Sequence, residues 1–131
     1  MYILDCRHGK WSLAEFTNQI LAVRDKYKPQ KIGVESNAVQ ELFRVNFQQY
    51  GLSTVALTPD GDKVRRLNRH VADIEFHHVF FPDDGASDDL INELVDFTGE
   101  AGGKDNLVDA FTYFMDMAKT KQSRVSLHTL G

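Results

Sequence analysis

The order of apolar runs constrains this chain most. "KIGVE" (Lys31 to Glu35) and "LSTVAL" (Leu52 to Leu57) are short, buried-type strands. Between them lies a stretch with Val39, Leu42, Phe43 and Phe47 at helical spacing, opened by Asn37 and closed by Gly51. A strand, a helix and a second strand in that order imply parallel pairing through a crossover. The class is therefore α/β.

Upstream, Tyr2 to Cys6 and Trp11 to Phe16 read as two strands of a hairpin with its turn at Gly9. Thr17 then caps a helix that reaches about Lys28 and stops at Pro29. Downstream, a helix from Asp62 to about Phe76 has a basic front of Lys63, Arg65, Arg66, Arg69 and His70, and leads into "VFFP", a short strand or extended edge. Leu90, Ile91, Leu94 and Val95 give the apolar face of a helix over about Ser87 to Phe97. "TGEAGGK" reads as a mobile loop, and a last helix runs from about Asp105 to Lys119. The spacing predicts one domain over residues 1–120 and a tail over 121–131.

Composition narrows the class by exclusion. Of 131 residues, 42% are hydrophobic and 26% charged, with a formal net charge of −4, the balance of a globular protein and not of a disordered or fibrous one. Cys6 is the one cysteine, so no disulfide forms within the chain, and five scattered histidines with it make no zinc motif. No apolar run approaches the ~20 residues that span a bilayer, and no signal peptide opens the chain. A soluble, intracellular protein is expected.

Three carboxylates stand out. Glu35 ends the "KIGVE" strand, and in open α/β sheets functional groups collect outside the carboxyl ends of parallel strands. Asp105 and Asp109 lie four apart in the last helix, about one turn from each other on one face. Two like charges so placed repel unless a cation lies between them, and a hard divalent ion held by oxygen ligands would supply it. Taken singly, each has a plainer reading: Asp105 as a helix-start acid, Asp109 as a solvated acid, Glu35 as a strand-end charge. The run from Lys63 to His70 likewise reads as a solvated face or as a phosphate-binding one. His77 and His78 read as surface residues and Cys6 as a small core residue.

Taken in order, "YILDCRHGKWSLAEF", "PQKIGVESN", "GLSTVALTP", "DKVRRLNRHVADIEFHHVFFP", "LINELVDFTG" and "KDNLVDAF" resemble the C-terminal nuclease domain of the phage terminase large subunit, a member of the RNase H-like superfamily. The resemblance implies an RNase H-like mixed sheet flanked by helices. It implies a metal-dependent endonuclease that cuts concatemeric double-stranded DNA by two-metal phosphodiester hydrolysis with Mg2+ or Mn2+. Glu35, Asp109 and Asp105 match the carboxylates that bind metal and act in catalysis. Lys63 and Arg66, with Arg65 and Arg69 beside them, match residues that engage DNA phosphates. The implied partners are double-stranded DNA, the terminase ATPase domain, the small terminase subunit and the portal, in the cytoplasm of an infected bacterial host.

The pattern departs from the family in two places. Asn106 stands where a second acid is common, and the first strand of the fold, with its catalytic Asp, is missing from the expected strand count; Asp5 is the nearest substitute in sequence. No phosphate-binding G-x-x-x-x-G-K-[ST] motif is present, so the chain is expected to be a fragment of a longer polypeptide. Two alternatives stay open: another RNase H-like nuclease of junction-resolvase or transposase type, and a non-catalytic interaction module of the same fold.

Overall fold

The computed structural model describes residues 1–36, 38–100 and 106–130, with backbone alone for 38–42 and 120–130. It is a mixed α/β structure of five helices and a two-stranded parallel sheet among those residues. The chain divides into two compact units, Gly9–Pro59 and Met1–His8 with Asp60–Gly131.

In the Gly9–Pro59 unit, α1 spans Leu13–Tyr27, β1 Gly33–Glu35, α2 Ala38–Gln49 and β2 Val55–Leu57. The expected crossover is present: β1 and β2 pair in parallel, with Gly33 opposite Val55 and Glu35 opposite Leu57. The ladder extends by one bond at each end, from Val55 N to the Ile32 carbonyl and from Ser36 N to the Leu57 carbonyl. At the end of α2, Gly51 sits at φ 76°, Leu52 N reaches the Phe47 carbonyl and Gly51 N that of Gln48. This is a Schellman stop, and its two flanking apolar residues, Phe47 and Leu52, are both buried. The expected Asn37 cap lies outside the described residues.

The expected hairpin does not form. Trp11 and Ser12 are not extended partners of residues 2–6; instead Ser12 caps α1, which starts four residues before the expected Thr17. The cause is local. Ser12 Oγ accepts from Glu15 N while Glu15 Oε2 accepts from Ser12 N, so two backbone donors of the first turn are satisfied reciprocally. Phe16, Ile20, Val23 and Tyr27 then fall on one helical face. Thr17 is buried in that helix, donating to the Leu13 carbonyl and accepting from Asn46 Nδ2, which joins α1 to α2 beside the Phe16, Phe43 and Phe47 rings.

In the other unit, α3 spans Lys63–Glu75, α4 Asp88–Asp96 and α5 Asn106–Leu130. The Tyr2–Cys6 strand reduces to one parallel bridge between Tyr2 and Phe80, flanked by bonds from Phe80 N to the Met1 carbonyl and from Ile3 N to the Phe80 carbonyl. Period-two alternation still operates there. Met1 and Ile3 pack on a core of Val79, Leu90, Leu107, Phe111 and Met115, while Tyr2 stacks on Phe80 at the surface. Cys6 also packs on this core, as expected.

Carboxylates set two helix starts in this unit. Asp62 caps α3 by accepting from Arg65 N at 2.8 Å. The start of α5 is capped by Glu93 of α4, whose Oε2 accepts from Leu107 N and Val108 N. A carboxylate at a helix N-terminus also meets the positive end of the helix dipole. Among the described residues no helix is long and apolar enough to cross a membrane.

Candidate functional site

Only part of the basic front of α3 is solvated: Arg65 and Arg69 are exposed, while Arg66 and His70 are buried. Its residues 63, 66, 70 and 73 recur at helical spacing and face Asp109, Asp116 and Lys119 of α5. Partner numbers rise together along the seam, so the two helices run in the same direction. Arg66 and His70 are buried in it.

Asp109 sits at the upper end of this seam, in the first turn of α5, with 20% of its side chain exposed. Its two oxygens have different partners. Oδ1 accepts from Arg66 Nη2 at 3.1 Å, and the Arg66 side chain is only 7% exposed. Arg66 Nη1 donates to the Gly61 carbonyl at 2.6 Å, so the guanidinium ties the loop before α3 to α5, while its Nε is buried without a hydrogen-bond partner among the described residues. Oδ2 lies 3.4 Å from Lys63 Nζ, on a side chain 41% exposed. One contact is a fixed, buried clamp, and the other is a point charge at the surface.

One and two turns further along, His70 Nε2 lies 2.8 Å from Asp116 Oδ1, and Arg69 bridges Asp116 and Asp60. His70 Nδ1 is buried without a partner among the described residues. Burial pushes the His70 pKa down, against the attraction and hydrogen bond of Asp116; Lys119 and Arg69 push it down further. At the lower end the signs reverse. Lys119 Nζ lies 2.6 Å from Asp73 Oδ2, and its hydrogen bond is the chief cause holding the Asp73 carboxyl below the usual carboxylate range.

The residues expected from the sequence to form the site fall in both units. Glu35 ends β1, half-buried, in the Gly9–Pro59 unit; Asp109, Lys63, Arg66 and Arg69 are in the other unit, joined through the seam. Arg65 is exposed, and among the described residues its guanidinium has no acidic partner. Asp105 and the glycine-rich stretch 101–104 lie outside the described residues. Asn106 is the exposed first residue of α5, and Asp5 pairs with Arg7. The exposed His77 and His78 come after the end of α3. Sequence reasoning passed over Asp116 and Glu93, although Asp109 and Asp116 are seven apart, two turns along one face.

Carboxylates suit a hard divalent cation. Among the described residues, however, no group of three His, Cys, Asp or Glu side chains converges to hold one. Asp109 moreover has both oxygens facing cationic side chains, so this end of the seam does not by itself form a metal centre. The chain was compared with protein-family models, curated proteins and solved structures, and none matches it.

Proposed function

We propose that the chain is a metal-dependent DNA endonuclease domain of the kind found in phage DNA-packaging terminases, with double-stranded DNA as substrate and Mg2+ or Mn2+ as cofactor. The observation that carries this reading is the meeting of Asp109 with Lys63 and Arg66. The first matches the family's last-helix carboxylate and the others its phosphate-binding cations, and they come together at the end of one seam. Glu35 at the carboxyl end of a parallel strand supports it, since ligands of α/β sheets bind there. The family's ion-holding carboxylates correspond in sequence to Glu35, Asp109 and Asp105, and the ions would supply activation of water and stabilisation of the leaving oxygen. Arg65 is the exposed cation at the start of α3; Lys63 pairs with Asp109, and Arg66 and Arg69 are committed to α5. The RNase H-like topology, the ATPase domain, small subunit and portal as partners, and the infected host's cytoplasm as location belong to the same proposal.

The pairing of both Asp109 oxygens with cations favours a second reading, a non-catalytic DNA-binding or docking module that keeps the fold. Manganese-dependent nicking of supercoiled plasmid by the whole chain, set beside Glu35→Gln and Asp109→Asn, separates the two. Both substitutions abolish cutting if the first reading holds. Cutting that survives both removes these residues from the site, and an absence of both cutting and manganese binding leaves the docking module.

A further inference from the structure

We infer that the exposed lysines where α1 gives way to β1 form a nucleic-acid contact of the Gly9–Pro59 unit, taking backbone phosphates of duplex DNA at the end of the sheet away from Glu35. Residues 9–59 hold six Lys and Arg against four Asp and Glu, a net +2 within a chain of net −4. Four of those six cations, Arg24, Lys26, Lys28 and Lys31, fall within eight residues. Asp25 is the one acid among them, and it is tied to Arg24 at 3.0 Å. Lys26, Lys28 and Lys31 are exposed, and among the described residues none of the three has a carboxylate partner; Lys26 Nζ lies 5.0 Å over the Tyr27 ring. Arg24 Nη1 donates to the Tyr50 carbonyl and Asn46 Nδ2 to Thr17 Oγ1, so α1 and α2 run in the same direction and both end here.

The plainer account is that these cations only answer the negative ends of the two helices. Each helix end presents roughly half a negative charge. Four cations and one acid exceed that, leaving about two positive charges unopposed, and Lys31 lies beyond α1 altogether. Neighbouring acids are too far to neutralise them: Glu15 is about 16 Å back along α1 and Glu35 about 13 Å on along β1, both past the ~8 Å screening length of physiological salt. Residues 42–49 of α2 include Arg44 and no acid. Lys28, moreover, ends α1 at φ 47°, a left-handed conformation that glycine adopts freely and lysine under strain, and its N–H on the Arg24 carbonyl fixes the turn. Ammonium groups without carboxylate partners on a fixed turn suit phosphates as point charges that do not read sequence. A lipid surface is the poorer match, since segments that lie on membranes set large apolar residues beside their cations, and residues 28–31 are Lys-Pro-Gln-Lys. The contact needs neither metal nor cutting, so it stands or falls apart from the nuclease reading.

The test is duplex-DNA binding by the whole chain, followed by fluorescence anisotropy between about 50 and 200 mM salt without divalent cations. It compares wild type with Lys26→Gln, Lys28→Gln and Lys31→Gln, singly and together, and with Lys10→Gln, an exposed lysine elsewhere in the same unit. The log–log salt slope should shallow by about 0.9 for each of the three lysines and by about 2.7 in the triple variant, which removes about 40-fold of the affinity drop across that salt range. Lys10→Gln should leave the slope unchanged. The contact is overturned by a wild type that does not bind duplex, by a triple variant with the wild-type slope, or by a Lys10→Gln effect as large as that of the other single variants. A triple variant that keeps duplex binding but loses binding to phosphatidylserine–phosphatidylcholine vesicles overturns it too. A slope that shallows as expected in a chain that never cuts plasmid keeps the contact while the nuclease reading fails. Circular dichroism of each variant confirms that the comparison is between folded proteins.

Discussion

Removing the Asp109 carboxylate tests whether the seam holds the helical unit together. In Asp109→Ala the Arg66 guanidinium stays buried with Gly61 as its remaining acceptor among the described residues, Nη2 joining an Nε that has no partner among them. Loss of one member of a buried pair costs about 3 to 5 kcal/mol, mostly from the charge left behind. The Lys63 contact adds no more than about 1 kcal/mol, because that side chain is 41% exposed and solvent screens the pair. At roughly 4 °C per kcal/mol for a chain of this size, the melting temperature should fall by about 12 to 20 °C. Thermal unfolding followed by circular dichroism would measure the shift, and urea unfolding the free-energy loss. The double variant Arg66→Met/Asp109→Leu should recover most of the loss, since an apolar pair carries no stranded charge. A loss below about 1 kcal/mol in Asp109→Ala, or a double variant no better than the single one, would refute the clamp.

Other residues carry three further expected outcomes. His70 has a folded-state pKa below its ordinary 6.5, so the unfolded chain takes up the proton first; stability is full above about pH 6.5 and falls as pH drops through the lower folded value. The groups facing it are Asp116 and Lys119 of α5 with Arg69 and Asp73 of its own helix, and His70→Gln should flatten that part of a urea-midpoint profile between about pH 7.5 and 5. His77 ends α3 at φ 57°, with its N–H on the Ile74 carbonyl and that of His78 on Asp73, so His77→Gly should raise stability by about 1 kcal/mol in thermal melts. Ser12→Ala breaks the capping box and should cost about 1 kcal/mol by the same measurement; no loss would mean that packing alone fixes the start of α1.

The parts of the fold legible in the sequence were those with strong local signals. "KIGVE", a helical stretch ended by Gly51, and "LSTVAL" pointed to the parallel crossover because a single glycine in the left-handed region and two apolar strands leave little else to choose. The expected start at Asp62 fell one residue before α3, on its N-cap. The hairpin failed on a conflict of periods. Trp11 to Phe16 carries enough apolar residues for a strand, but S-x-x-E at Ser12 and Glu15 satisfies backbone donors locally, and that decided the segment. At the candidate site the sequence identified Asp109, Lys63 and Arg66 but not that they pair with one another. Charge spacing on one helix shows a face; what that face meets depends on a second helix, with Arg66 and Asp109 separated by 43 positions.

Glu93 ties the start of α5 to α4. The first-turn amides of Leu107 and Val108 donate to a side chain of α4, 14 and 15 positions back. The two helices are thus a single cooperative unit in local unfolding: when α4 lifts away, those two amides lose their acceptor together. Their hydrogen exchange would then proceed at the opening rate of α4, so the turn presenting Asp109 stays wound only as long as a neighbouring helix stays docked.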